Sequence, residues 1–437
     1  MYRVLLLLAL LIAAVDVSAQ TSGADSSQPT YYSQVGGVSL REIVIRAIET
    51  NGEIKIAMLE VNKARARLTQ AGLRPNPTLE VEQTSGRLAG TPGDNEITAG
   101  VSLPLELYGQ RDRRVDRARA EIVLKEAEIL SKQREVAAKI FIDYADALAA
   151  FRELTVLDEL IALDLETAKF VQIRVNEGET APLELSLLQT EIERLRVHRQ
   201  LVESKLEAAI TKLKYFANVP YDQPLKLAED VSTATLPNLP PSIEIGFAVG
   251  VKNRPEIRLA ELEEQLFSAG LRLIRSEGKT SFSAFSRFTT GRSTIDLPIG
   301  VFPQDRDRSL TFGVSIGLPV FNRNQGAIAE AEIAIQLARE KRTLAEKLIR
   351  NEIVVAFQQI EAARRALNSL QSTVLPRSRA NIETMRRVYE LGEIKITDLL
   401  AEQRRLLEAN RDLTETFTRK YKAEADLFIA LGLTFDN

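Results

Sequence analysis

From Gln110 to Glu177 the chain carries no Gly or Pro, and apolar residues recur at three- and four-residue steps through Val115, Ile122, Ile129, Val136, Ile140, Tyr144, Leu148, Leu157, Ile161, Leu165 and Val175. That spacing predicts one helix with a continuous apolar seam. About 66 residues rising 1.5 Å each would extend about 100 Å, more than a compact domain can hold. A second long helix is predicted over residues 323–391, interrupted at Pro376, whose ring opposes the helical ladder. Elsewhere the period changes to two. Ile97, Ala99, Val101, Leu103 and Leu105 alternate with Thr98, Gly100 and Ser102, and Leu310, Phe312, Val314, Ile316 and Leu318 alternate with Thr311, Gly313, Ser315 and Gly317. These runs predict strands over residues 96–105 and 309–319, with partner strands over 78–85 and 281–289 across turn-rich loops.

The two halves repeat each other. Gly178, Glu179, Glu184, Leu185 and Gln189 reappear 214 residues later as Gly392, Glu393, Asp398, Leu399 and Gln403, while Leu103-Pro104-Leu105 and Gln110 reappear at 215 as Leu318-Pro319-Val320 and Gln325. Each copy therefore reads helix, two-stranded hairpin, long helix, turn, helix. Repeat 1 covers residues 41–217 and repeat 2 covers 243–433, joined by a linker, 218–242, that holds five prolines. The first nineteen residues read as a secretory signal: Arg3, an apolar run from Val4 to Val15, and a small-residue cleavage site at Val17-Ser18-Ala19. Residues 20–40 read as an extended segment.

Composition narrows the chemistry. With 57 Lys plus Arg against 60 Asp plus Glu, the net charge is -3, which indicates no nucleic-acid surface. The chain has no Cys and one histidine, His198, so thiol catalysis, disulfides, a Cys or His metal cage and an acylated cysteine anchor are all excluded. No nucleophile elbow, phosphate loop or Ser-His-Asp set is present, so no enzyme, no cofactor and no metal site is expected. No apolar run reaches the ~20 residues a membrane helix needs. Membrane insertion would have to use strands, whose length suits a tilted crossing and whose small polar alternate residues suit a wet lumen. Four strands cannot close a barrel, because the smallest need about eight. Two chains would pool eight and three would pool twelve. Tyr108, Phe282, Phe285, Phe288, Phe302 and Phe321 lie near the hairpin ends, where they suit either an interfacial belt or core packing.

Three stretches, LPLELYGQR (103–111), LPVFNRNQGAIAEAE (318–332) and VYELGEIKITDLLAEQRRL (388–406), resemble signature segments of the TolC-like outer-membrane efflux proteins. The first two are most similar to the CzcC-type cation-efflux branch. The resemblance implies a mainly α fold with a small β part: a homotrimer forming a twelve-stranded barrel in the outer membrane, continued by an α-helical barrel through the periplasm. It implies a passive exit duct of a tripartite pump, in contact with outer-membrane lipid and joined to a periplasmic adaptor and an inner-membrane transporter of the resistance-nodulation-division type. Metal cations are the expected cargo. A type I secretion or multidrug duct, and a soluble periplasmic coiled-coil scaffold, are the competing readings.

In this arrangement the turns at Gly178 and Gly392 ring the periplasmic entrance and are candidate adaptor contacts as well as helix ends. The window Val175–Glu193 carries -5 and Val388–Gln403 carries -3. Glu179, Glu184, Glu393 and Asp398 are the candidate selectivity residues, since rings of carboxylates concentrate cations. Glu191, Glu193 and Glu402 read instead as solvated helix faces. By resemblance, Asp398 matches an entrance aspartate and Tyr389 a gate tyrosine. The second aspartate of the pattern falls on Ala401 and its arginine on Ile394, so a tip closed by packing and released by the adaptor is expected.

Overall fold

A computed structural model describes residues 31–435, apart from 34–35, 87–94, 237–238 and 295–303. The signal read over residues 1–19, most of residues 20–40 before Tyr31, Phe302 and most of both hairpin loops lie outside the described residues. The first repeat contains α1 (Leu40–Thr50), α2 (Gly52–Ala71), β1 (Thr78–Ser85), β2 (Asn95–Leu105), α3 (Gln110–Asn176) and α4 (Pro182–Phe216). The second contains α5 (Ile243–Asn253), α6 (Pro255–Glu277), β3 (Ser281–Thr294), β4 (Gln304–Gly317), α7 (Gln325–Ser369), α8 (Leu375–Glu390) and α9 (Ile396–Ala430).

Both rods begin in the same way. Gly109 and Asn324 adopt left-handed backbone, φ 69° and 61°, immediately before the first helical residue. The next side chain reaches back: Gln110 Oε1 accepts the Tyr108 N–H at 3.0 Å and Gln325 Oε1 accepts the Arg323 N–H at 2.8 Å. The duplicated glutamine thus closes the strand-to-rod turn, satisfying a donor that neither element can pair. The first rod, α3, runs unbroken for 67 residues. The second is divided by a π-helical turn, Leu370–Val374, just ahead of Pro376 in the first turn of α8. Pro376 lacks the N–H that would bond the carbonyl of Ser372, and its ring crowds that carbonyl, so the widened turn falls there.

The four strands form one antiparallel sheet in the order β1-β2-β3-β4. Helices follow the same order, with α2 packed on α3, α3 on α6 and α6 on α7. Every strand therefore continues into its own helix, giving four strand-and-helix columns with edges at β1/α2 and β4/α7. The main core lies midway along the rods, where α1, α3, α4 and α9 meet. The interrepeat linker packs into that core through Leu225, Leu227, Val231, Ala234 and Leu236. Leu227 also forms parallel bridges with Tyr32 and Val38 of the N-terminal segment, so the linker and the chain start strap the repeats together.

Candidate functional site

The continuous register sorts the sheet into two unlike faces. Leu79 pairs with Val101, Val101 with Ser286 and Ser286 with Phe312, while Val81, Ala99, Phe288 and Leu310 form the next row. On this face Leu79 is 72% exposed and Phe312 is 73% exposed. No described residue covers it, although burying each such side chain would contribute about 1.5–3 kcal/mol. The opposite face carries Glu80, Glu82, Glu96, Thr98, Ser102, Ser283, Arg287 and Thr311. Phe282 and Phe288 belong to the apolar face, but Phe285 pairs with Ser102 and Gly313 on the polar one. Its ring lies over Gly313, where a Cβ would sit 2.7 Å from Cε1. Phe285 is therefore not a belt residue. Phe321 is 91% exposed. Among the described residues no helix is long and apolar enough to cross a membrane.

At the far end of the rods, both helix turns close as Schellman motifs. Gly178 N–H bonds Val175 O at 3.1 Å and Glu179 N–H bonds Arg174 O at 2.9 Å, with Gly178 at φ 78°. Gly392 and Glu393 repeat the pattern on Tyr389 and Val388, at φ 80°. Glycine is the residue that takes this left-handed position without a Cβ clash. The two turns then pack on each other through Val171, Leu188, Ile192, Tyr389, Ile396, Leu399 and Leu400.

Polar contacts cross this small core. The buried Tyr389 hydroxyl donates to Glu184 Oε2 at 2.8 Å, and burial together with that carboxylate raises the pKa of the phenol. Arg174 Nη1 donates to the Tyr389 carbonyl at 3.3 Å, and its Nε lies 3.4 Å from Glu179 Oε2. Arg174 is thus the residue that joins Glu179, Glu184 and Tyr389 into one cluster. Sequence reasoning passed over it, yet it is the one base between Lys169 and Arg194, at a helix C-terminus where a cation is favoured. Ile394, at the position where the resemblance leads one to expect an arginine, packs against the tip core instead. Glu393 and Asp398 remain exposed and outside the cluster. Asp398 Oδ2 accepts the Lys395 N–H at 3.3 Å, closing the start of α9. Ala401 is exposed.

Two residues expected on solvated faces are buried. Glu191 is 7% exposed, bound by Arg194 Nε at 3.0 Å and Arg404 Nη2 at 3.0 Å. Burial opposes its charge, but the two guanidinium groups hold its pKa below the usual carboxylate range. Glu402, also 7% exposed, accepts from Asn381 Nδ2 at 3.1 Å and Arg405 Nη1 at 3.0 Å. Charge counting saw acids in a window; only packing shows that α4 and α9 turn these two inward against neighbouring cations. Glu193 is exposed, with Arg196 Nη1 at 2.6 Å. Beside these acids, Asp164 is buried against Gln403, whose Nε2 donates at 2.7 Å, and burial pushes its pKa up to about 6 despite that hydrogen bond. His198 Nε2 lies 3.0 Å from Glu153 Oε1. Among the described residues no cluster of three or more His, Cys, Asp or Glu side chains has the geometry of a metal site.

A sheet with an apolar band across one face, carried on rods that end in a packed acidic tip, defines a membrane protein of the strand-and-helical-rod class. The chain belongs to the outer membrane efflux protein family, which it matches over residues 44–214 and 251–433. It is 22% identical to the cobalt-zinc-cadmium resistance protein CzcC of Cupriavidus metallidurans, over 95% of each chain. It is 23% identical to the cation efflux system protein CusC of Escherichia coli, over 90% of this chain and 85% of the relative. The fold superimposes on crystallised CusC with a TM-score of 0.67, covering 92% of this chain and 93% of that one, at 22% identity. A membrane protein from Pseudomonas aeruginosa gives 0.71 over 90% of both, at 18% identity. The protein is an outer-membrane efflux channel component, mainly helical with a small sheet, reaching from the outer membrane into the periplasm.

Proposed function

We propose that three copies close into a twelve-stranded barrel and a continuous helical tunnel, the passive exit duct of a tripartite pump for metal cations. The observation that carries this reading is the match between open edges. Strands β1 and β4 end the sheet, and the same columns end in α2 and α7. Exposed apolar side chains lie on both edge helices: Ile56 and Leu59 on α2, and Ile333, Leu337, Leu344 and Leu348 on α7. The spacing on α7 is that of a helix-packing seam. Ring closure pairs both edges, covers both seams and leaves the apolar sheet face to lipid, with the polar face lining water.

Cation cargo is supported by the acids of the polar sheet face and of the tip, and by relatives named for cobalt, zinc and cadmium resistance and for cation efflux. Glu179, Glu184, Glu393 and Asp398 would ring the entrance, with Tyr389 in the closure and the turns at Gly178 and Gly392 facing a periplasmic adaptor. A resistance-nodulation-division transporter in the inner membrane would supply the energy. The test is the mass of the detergent-extracted assembly, followed by conductance in planar bilayers. A trimer with cation-selective channels supports the duct; a dimer, or a protein recovered without detergent and giving no channels, overturns it.

A further inference from the structure

The charges of the sheet separate by face and by height. Among the described residues its acids Glu80, Glu82, Glu96, Asp305 and Asp307 all fall in the register of the polar face, with Arg287. The apolar face carries no described acid, but it carries three arginines, Arg292, Arg306 and Arg308, all exposed. They sit at one end of it. Along β4 that face reads Arg306, Arg308, Leu310, Phe312, Val314, Ile316, and along β3 it reads Arg292, Thr290, Phe288, Ser286, Ala284, Phe282. Charge thus begins where the apolar residues stop. The run from Leu310 to Leu318, eight steps at about 3.4 Å, gives an apolar band comparable to the ~25 Å of outer-membrane barrels once the strands tilt.

The helices join the sheet at the opposite end, so the arginines mark the leaflet away from the rods. Arg292 and Arg306 are direct cross-strand partners, and Arg308 faces Thr290 one row below. Like charges placed directly opposite repel, and on this face no described acid relieves them. A doubly charged oxyanion between them would. Guanidinium groups suit phosphate oxygens in particular, because their paired N–H donors match them in a plane. At this height, on a face whose remaining surface meets lipid, the phosphates available are those of lipid headgroups.

We infer that Arg292, Arg306 and Arg308 form a binding site for a phosphate-bearing lipid headgroup of the outer leaflet, one site per chain. The inference rests on the barrel reading above, because only there does the face meet lipid. Stem packing of the arginines along the barrel edge carries their charge into the headgroup layer, where such side chains reach for anions. The site gives the barrel a fixed height: the apolar band seats in hydrocarbon and the basic rim clasps the surface above it.

The full-length protein would be placed in nanodiscs of phosphatidylethanolamine alone, or doped with diphosphoryl lipid A or with phosphatidylglycerol, and retained lipid counted by native mass spectrometry after detergent exchange. Selective retention of the diphosphorylated lipid is expected. The combined R292Q/R306Q/R308Q variant should lower it roughly tenfold or more, while R287Q, on the polar face, should leave it unchanged. R306Q alone, removing one arginine of the facing pair, should give a smaller loss in the same direction. Equal retention by wild type and both rim variants overturns the site, and so does retention of inorganic phosphate without lipid. Conductance of the same preparations is read separately: channels with unselective lipid retention sink the site alone, whereas absence of channels in the wild type sinks the barrel.

Discussion

The hydroxyl of Tyr389, at the end of α8, donates to Glu184, in the first turn of α4, at 2.8 Å. This bond and the Arg174 contact to the Tyr389 carbonyl tie the two helical turns together across an apolar cluster. Tyr389→Phe keeps the packing and removes only the bond. A hydrogen bond to a charged, partly exposed acceptor contributes about 1 kcal/mol, so the closed-to-open ratio should fall roughly fivefold. Single-channel recording would read this as a higher open probability; unchanged gating would remove the bond from the closure.

Asp398 and Glu393 remain exposed beside the turn at Gly392, and Asp398 also accepts the Lys395 N–H at the start of α9. Replacing Asp398 by Asn keeps an acceptor there and removes the charge. The D398N/E393Q channel is expected to lose cation over anion preference with little change in thermal stability. Reversal potentials in a salt gradient measure it, and an unaltered preference would refute the acidic mouth.

Asp164 titrates near 6 in the fold, above its ordinary 3.8, because it is buried beside Gln403 and feels the charge of Glu191. A raised carboxyl value means that the native state holds the proton. Stability from this group is fully present below the unfolded value and is lost as pH rises through about 6, by about 3 kcal/mol in all. Gln403 Oε1 is buried without a partner, which a proton on Asp164 would supply. Asp164→Asn copies the protonated acid, so the variant should equal or exceed wild type in melting temperature at pH 7.5 and show a flatter profile down to pH 5. A wild-type slope retained in the variant would exclude this residue.

Gly313 leaves room for the Phe285 ring on the polar face of the sheet, where a Cβ would approach Cε1 to 2.7 Å. Gly313→Ala should destabilise the sheet by about 1–3 kcal/mol through overpacking. F285A/G313A should recover part of that loss, as gel mobility of heated and unheated protein would reveal. If the second change gives no recovery, the two residues are not coupled.

The columns of the fold were legible because each rests on local periodicity: the Gly- and Pro-free run predicts α3, and the alternation from Ile97 to Leu105 lies within β2. The duplicated Gln110 and Gln325 were visible as a repeat, but their work at the rod entrances needed backbone geometry. Arg174 was illegible for another reason. It lies 215 residues from Tyr389, and no period connects the end of α3 to a partner in α8.

By itself the sequence determined the alternation of strand and rod, the duplication, and one apolar face per strand, since these follow from which neighbouring residues share a side at a spacing of 2 or about 3.6. Tertiary structure decided which acids are paired and which are free. Glu191 and Glu402 are drawn into the packing while Glu393 and Asp398 stay in water, because burial depends on which helices meet, and that is fixed by contacts distant in the chain.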